Sequence, residues 1–443
     1  IYTYDNYFKV YSDDSVQYFD KSGKKLESKD VFPNNKLFAY NERNKWGFKD
    51  KDGNIVVKPI YDMVTEFNEY GYAGIKSKNK WGSINENGDA TYILRRDGVY
   101  YMEGKNVFKH NVVIKAENGS GKMPIIQPIC DAQGALNADM IRLEGSATFE
   151  NIYIIGKDAA TGNLMQRLFR IDESNVRLKF DNCFIDHCRN FCIRTDNVNN
   201  KIYLNNSTIR NLALTSDPAN GRLIDSRGNE QDSIVINNCY VYNNTAHIVR
   251  FDNVVTNYFG IKHSTFYNVG HHIQINYAIK VEIENNIFAN VGWKSSAASD
   301  VFWQISIPKK DERAQDISMS VCNNNLFFSE EFERLFAKYP QNLKRTTLSD
   351  DGYQLIEEGK LTFKDNFSEV LTFDYPPVLP MEYIDKFFEN MGSNMSKWAD
   401  LPFYVDEDGV EGIEVGKTFT FHYSTSSKSA TASTTQGPIG ASF

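Results

Sequence analysis

The densest run of reactive side chains is FDNCFIDHC, residues 180–188, with two cysteines, one histidine and two aspartates. Thiolates and imidazoles at such density are the donors of a zinc site. The spacing argues otherwise. The six cysteines are Cys130, Cys183, Cys188, Cys192, Cys239 and Cys322. None forms a CxxC pair, and the C-x4-C-x3-C run lacks a fourth close ligand, so no metal is expected. Cys183 and Cys239 occupy the position that Ser207 and Ser264 hold in similar strings elsewhere. Small residues there predict a stacked internal column, in which a free thiol acts as a small hydrophobe. Cys183 is expected to point inward without pairing to Cys188. Loop or surface placement suffices for Asp186 and His187.

A second constellation recurs. Arg170 and Asp172 form R-x-D, as do Arg194 with Asp196 and Arg250 with Asp252. One string reverses the order, with Asp225 and Arg227, and the next softens it to Gln274 and Asn276. Residues i and i+2 of a strand share a face. Alternation with Phe169, Ile171, Ile193 and Phe251 puts the apolar side chains inside and the charges outside, stacked ~4.8 Å apart. Guanidinium forks bind carboxylates bidentately, which suits an acidic or polar sugar chain. The aspartates would suit Ca²⁺. Adjacent aspartates such as Asp172 and Asp196 would meet the ~5–9.5 Å separation of a glycosidase pair. The competing reading is an ion-pair ladder in which Arg and Asp neutralise each other, each exposed pair contributing at most ~1 kcal/mol. That reading is preferred, because no acid–base set with an orienting partner can be named. Tyr242, Tyr267 and Tyr277 are expected to be surface aromatics able to stack on sugar rings. His271 and His272 are neighbours in a strand, so at most one serves a shared outer site.

Two repeats position these residues. Residues 45–53 read KWGFKDKDG and residues 80–88 read KWGSINENG, an interval of 35 from Trp46 to Trp81. A degenerate earlier copy ends its turn at Gly23. Each unit reads as strand, Asp/Asn-Gly turn, strand. Both tryptophans are expected to pack in the core of the repeat. The second repeat has equivalent positions at 151, 182, 206, 238, 263, 285 and 324. Strings such as NCFID, NCYVYN and NIFAN follow an Asn-rich turn. Period-two strings lie upstream (VRLKFDN, KIYLNN, SIVINN) and downstream (LFRIDES, FCIRTDN, HIVRFDN). Three short strands per coil with Asn at the bend predict a right-handed parallel β-helix, over about 92–325. Asn suits left-handed corners and stacks in ladders.

Residues 1–89 resemble the WG-repeat family through Trp46-Gly47 and Trp81-Gly82. That resemblance implies a β-repeat binding or spacer module without shared catalytic residues. Residues 90–325 resemble pectin-lyase-like β-helix proteins of polysaccharide-degrading Gram-negative bacteria, through RLFRID, FDNC, NSTIRN and NNIFAN. In β-helix lyases of that architecture, Ca²⁺ and an Arg or Lys base remove the proton beside a uronate.

The expected organisation is an all-β chain. A WG-repeat module (1–89) precedes the β-helix (90–328). A mixed α/β region (329–423) follows, with short helices at 329–339 and 381–391 and β patterns from 401. A Ser/Thr-rich tail (424–443), extended or mobile, ends the chain. A net charge of −8 supplies no basic surplus for nucleic acid. No apolar run approaches the ~18–20 residues of a membrane span. No basic-then-apolar leader opens the chain, and a signal or anchor is expected to lie outside it. The expected function is a non-catalytic glycan-binding, adhesive or structural protein, extracellular or on the outer-membrane surface. Its partner would be a polysaccharide or other cell-surface component. The alternative is a lyase or hydrolase acting on an acidic polysaccharide, with Ca²⁺ as cofactor only in the lyase case.

Overall fold

The computed structural model describes residues 2–3, 6–12, 15–32, 34–68, 70–77, 80–294, 301–340, 346–390, 397–404 and 416–443. They form two compact units. One comprises Ile1–Leu94 with His110–Lys115, the other Arg95–Lys109 with Ala116–Phe443.

The first unit is built from antiparallel hairpins that share one turn chemistry. Asp20, Asp50, Asn68 and Asn85 open turns that close on Gly23, Gly53, Gly71 and Gly88. Those glycines have φ between 78° and 87°, the left-handed region that a Cβ disfavours. Each Asp or Asn side-chain oxygen accepts from the N–H groups two and four residues ahead. The glycine of the first W-G pair has a steric reason. A Cβ on Gly47 would lie 2.3 Å from the Val57 carbonyl oxygen, because strand Ile55–Tyr61 pairs antiparallel with strand Lys45–Asp50 and shifts register between Trp46 and Phe48. The tryptophans depart from expectation: Trp46 is half-buried, and Trp81 is 57% exposed. Phe48 and Ile84 fill the core instead, Phe48 edge-to-face with Phe67 at 5.5 Å. Trp81 lies across the gap left by Gly74, with the Lys76 ammonium over its ring at 5.9 Å.

The second unit is a parallel β-helix, as the three-strand repeat predicts. Its first sheet runs from Ala147–Glu150 to Leu361–Lys364, and its second from Val99–Glu103 to Asn325–Phe327. The third runs from Val107–Phe108 to Val249–Phe251 and resumes as Ile273–Asn276, Val301–Ser306 and Thr346–Leu348. Neighbouring strands pair in parallel, and equivalent residues lie over one another. The corner before the second sheet is left-handed in coil after coil. Asn151, Asn182, Asn206, Asn238, His263, Asn285 and Asn323 all have φ between 44° and 62°. Six of these are the anticipated repeat positions; in the last coil the corner falls at Asn323, one residue before Asn324. Asn is favoured because its short polar side chain tolerates that conformation and bonds locally.

One residue past each corner lies the internal column. The backbone N–H of Cys183 donates to Ser207 Oγ at 3.0 Å, and that of Cys239 to Ser264 Oγ at 3.1 Å. Ser264, Asn286 and Asn324 then donate in turn to the side chains of Asn286, Asn324 and Asn366. The Cys183 and Cys239 thiols donate to backbone carbonyls, and burial pushes both up to about 12. All six cysteines are free, and no group of three or more metal-ligating side chains occurs among the described residues.

Helices Glu330–Lys338 and Met381–Glu389 form as anticipated, and Asp350–Glu357 was not anticipated. The two anticipated helices pack Phe332, Leu335, Phe336, Tyr383, Ile384 and Phe387 on Trp293 and Trp398. Of the expected β patterns after 401, residues 405–415 lie outside the described residues.

The Ser/Thr tail is neither extended nor unattached. Its backbone N–H groups find fixed acceptors: Thr434 donates to Asn285 Oδ1 and Ser442 to Asn238 Oδ1, both corner asparagines. The Glu369 carboxylate accepts from the N–H groups of Lys428 and Ser429. The same segment seals the outer face of the second sheet. Tyr242 and Tyr267 are therefore buried against Phe421, not free for sugar stacking. No helix among the described residues is long and apolar enough to cross a membrane.

Asn286 holds two coils together by accepting from Ser264 and donating to the Ile261 carbonyl and Asn324. Asn286→Ala strands buried donors and acceptors at ~1–3 kcal/mol each. We expect urea unfolding to show a loss of at least ~2 kcal/mol, with Asn182→Ala at the outer corner costing less.

Candidate functional site

The third sheet carries the charged constellation on its outer face. Phe169, Ile171, Ile193 and Phe251 point into the core. Between them the outward positions stack in register: Arg142 on Arg170, Arg170 on Arg194, Arg194 on Asp225, Asp225 on Arg250. Three like charges at a spacing of ~4.8 Å repel one another. The carboxylates at the following corner offset that repulsion. Asp172 lies between Arg142 and Arg170, at 3.1 Å from the latter. Asp196 lies between Arg170 at 3.3 Å and Arg194 at 2.9 Å. Asp225 is fully buried by Arg227 at 2.8 Å, Arg222 at 3.0 Å and Arg250 at 3.6 Å. Arg250 also reaches Asp252 at 3.4 Å. Gln274 caps the ladder by accepting from the Phe251 N–H at 2.9 Å, and Asn276 is buried on the next coil position. All ten anticipated residues therefore lie along one edge. Eight of them are ion-paired, in one run that ends at Arg194 and Asp196 and a second around Asp225.

Sequence reasoning missed Asp139, Arg142, Arg167 and Arg222. Asp139 pairs with Arg167 and, at 3.8 Å, with Arg142. Their strings, DMIRL and RLIDS, space the charges three apart, so the i, i+2 rule passed over them. They nevertheless reach shared carboxylates, Arg167 bonding Asp139 and Arg222 bonding Asp225. The full ladder has seven guanidinium groups sharing five aspartates. Hydrogen bonding to Asp172 holds Arg142 above the usual arginine range. Burial lowers Arg194, but bonding to Asp196 outweighs it and the net shift is upward. Neither is a credible base. Carboxylates flanked by guanidinium groups are also the wrong surroundings for a general acid, which needs a site that favours its proton.

The opening run gives a second cluster that sequence reading assigned to a loop or the surface. Asp186 and His187 are instead fully buried in strand Phe184–Cys188. Asp186 accepts from Tyr153 Oη at 2.7 Å, Arg210 Nε at 2.9 Å and Asn211 Nδ2 at 2.8 Å. His187 Nδ1 lies 2.6 Å from the same carboxylate. Arg210 is stacked on Phe184 and donates to the Lys417 carbonyl at 2.6 Å. The C-terminal segment closes over this network, which is why the position is interior. Burial alone would raise the Asp186 carboxyl, but His187 and Arg210 outweigh it and hold it well below the carboxylate range. Burial pushes the Tyr242 hydroxyl, 3.4 Å from Arg210, up to about 12.

The network is interior and bonds the Lys417 carbonyl, so its role is to fix the C-terminal segment. Arg210→Met leaves a buried carboxylate without its main cation, a loss of ~3–5 kcal/mol. Adding Asp186→Asn should recover part of it in urea unfolding. The Asp186 carboxyl is depressed in the folded state. Its contribution is therefore complete above the ordinary carboxylate range and is lost as pH falls toward its folded value.

His271 and His272 lie at the turn between the second and third sheets, with His247 from the preceding coil stacked on His271 at 3.9 Å. Among known families, a model described as WG containing repeat matches residues 46–81, the span from one W-G tryptophan to the next. No curated protein matches the chain.

Proposed function

We propose that this is a non-catalytic β-helix protein that holds an acidic polysaccharide along the guanidinium ladder of its third sheet. The observation that carries this reading is the in-register column Arg142–Arg170–Arg194, whose carboxylate partners serve as spacers. A guanidinium has five N–H donors, and one or two carboxylate contacts leave donors for a further anion. Uronates spaced along a polymer suit such a row, and solenoid faces are where long chains lie. The WG containing repeat fits a display or spacer element. The resemblance to pectin-lyase-like proteins of polysaccharide-degrading Gram-negative bacteria supports an extracellular or outer-membrane setting. The buried cysteines, with thiols at about 12 for Cys183, Cys188 and Cys239, are unreactive in an oxidising compartment.

The test is a glycan panel scored for retention and for new products, both reducing ends and absorbance from unsaturated uronates. We expect uronic acid polymers to be retained without product, and neutral polymers to pass. Arg170→Ala with Arg194→Ala should weaken retention at least tenfold, since a charged hydrogen bond contributes ~1.5–3 kcal/mol. Raising salt should act in the same direction. Product that vanishes in the double variant would make this a lyase or hydrolase. Absence of retention would reduce the ladder to architecture.

A further inference from the structure

At the turn from the second to the third sheet, four basic side chains from neighbouring coils meet. The rings of His247 and His271 stack at 3.9 Å and 15°. His272 stands edge-on to both, at 5.6 and 5.8 Å. Lys294 Nζ lies 3.2 Å from His271 Nε2 and 5.8 Å from the centre of the Phe387 ring. From the third sheet, Arg222 and Arg250 add positive charge facing this group. The opposing charge is Asp217, which acts on Lys294 from beyond ion-pair distance. Among the described residues, Lys294 has no carboxylate partner.

Proton placement follows from the geometry. Burial pushes Lys294 down to about 8, so at neutral pH the ammonium is mostly protonated. It therefore donates to His271 Nε2, and the imidazole proton must sit on Nδ1. That Nδ1 is buried and has no partner. His247 Nδ1 and Arg222 Nε are likewise buried without partners. A desolvated donor without an acceptor costs ~1–3 kcal/mol, and natural proteins rarely leave several together. Positive charge and unpartnered ring nitrogens in one place suit an anion.

We propose that this turn is an oxyanion site, in which a carboxylate, sulfate or phosphate group is held by Lys294 and the imidazoles of His247 and His271. The Arg142–Arg170–Arg194 column is not required for it. Binding should persist at neutral pH and fade as pH rises through about 8, where Lys294 loses its proton. It should tighten in acid as the imidazoles gain protons, because burial first, and then the charges of Arg222 and Lys294, disfavour those protons until an anion is present.

The chain has only seven histidines, so imidazole nitrogen spectra of histidine-labelled protein resolve the question. Acetate, sulfate and phosphate would be titrated separately at constant ionic strength against chloride. We expect saturable shifts at His247 and His271, a rise of about one unit in their titration midpoints, and no response at His422. The arm that saturates first distinguishes a planar carboxylate from a tetrahedral anion. Lys294→Met, checked for an unchanged fold by its amide spectrum, should abolish the saturable response. If that variant fails to fold, His271→Gln should weaken it at least fivefold. Chloride acting as strongly as the oxyanions, or an undiminished response in the substituted protein, would overturn the proposal.

Discussion

In a parallel β-helix every residue sits over its equivalent in the next coil, ~4.8 Å away. That constraint governs the rest of the second unit. Identical residues must tolerate one another at van der Waals distance, so only side chains that attract their own kind, or alternate with complements, can repeat. Phenylalanine does so by stacking, as Phe149 on Phe180 and Phe266 on Phe288. Asparagine does so by donating to the amide of its neighbour, as Asn268 to Asn243 and Asn238 to Asn206. Arginine cannot, and the ladder exists because aspartates at the following corner separate the guanidinium groups.

The three faces meet this constraint differently, and the difference points to function. The second sheet is buried outside as well as inside, beneath Phe373, Phe421 and Ile439 of the C-terminal segment. Its buried Asp186 carboxylate is surrounded by protein donors, from Tyr153, Arg210 and Asn211. The third sheet keeps its charges half-exposed. There the pairing is sufficient to hold the coils in register, yet the guanidinium groups retain unused donors.

Much of this was legible in the sequence because period-two alternation and the Asn-rich bends are local signals. The corner positions 151 to 285 and the inward column of Cys183, Ser207, Cys239 and Ser264 required nothing else. What failed depended on distant chain. Tyr242, Tyr267, Asp186 and His187 look like surface residues until residues 416–443 cover them, and no local pattern announces that cover. The tail itself misled through composition: serine and threonine suggest mobility, but here fixed asparagines supply acceptors for its backbone. Trp81 shows the opposite error, a large aromatic presumed buried because it repeats. Asp139, Arg142, Arg167 and Arg222 were missed because their charges lie three apart in sequence, which a fixed i, i+2 spacing ignores.

The central claim is that the open edge of the third sheet recognises an anionic chain through a column of guanidinium groups in register. A crystal structure with an acidic oligosaccharide tests it most directly. The account predicts sugar carboxylates within hydrogen-bond distance of Arg142, Arg170 and Arg194, with the Asp172 and Asp196 pairs intact and the glycosidic bonds unbroken. An oligosaccharide bound on another face, or a cleaved one on this face, would contradict it.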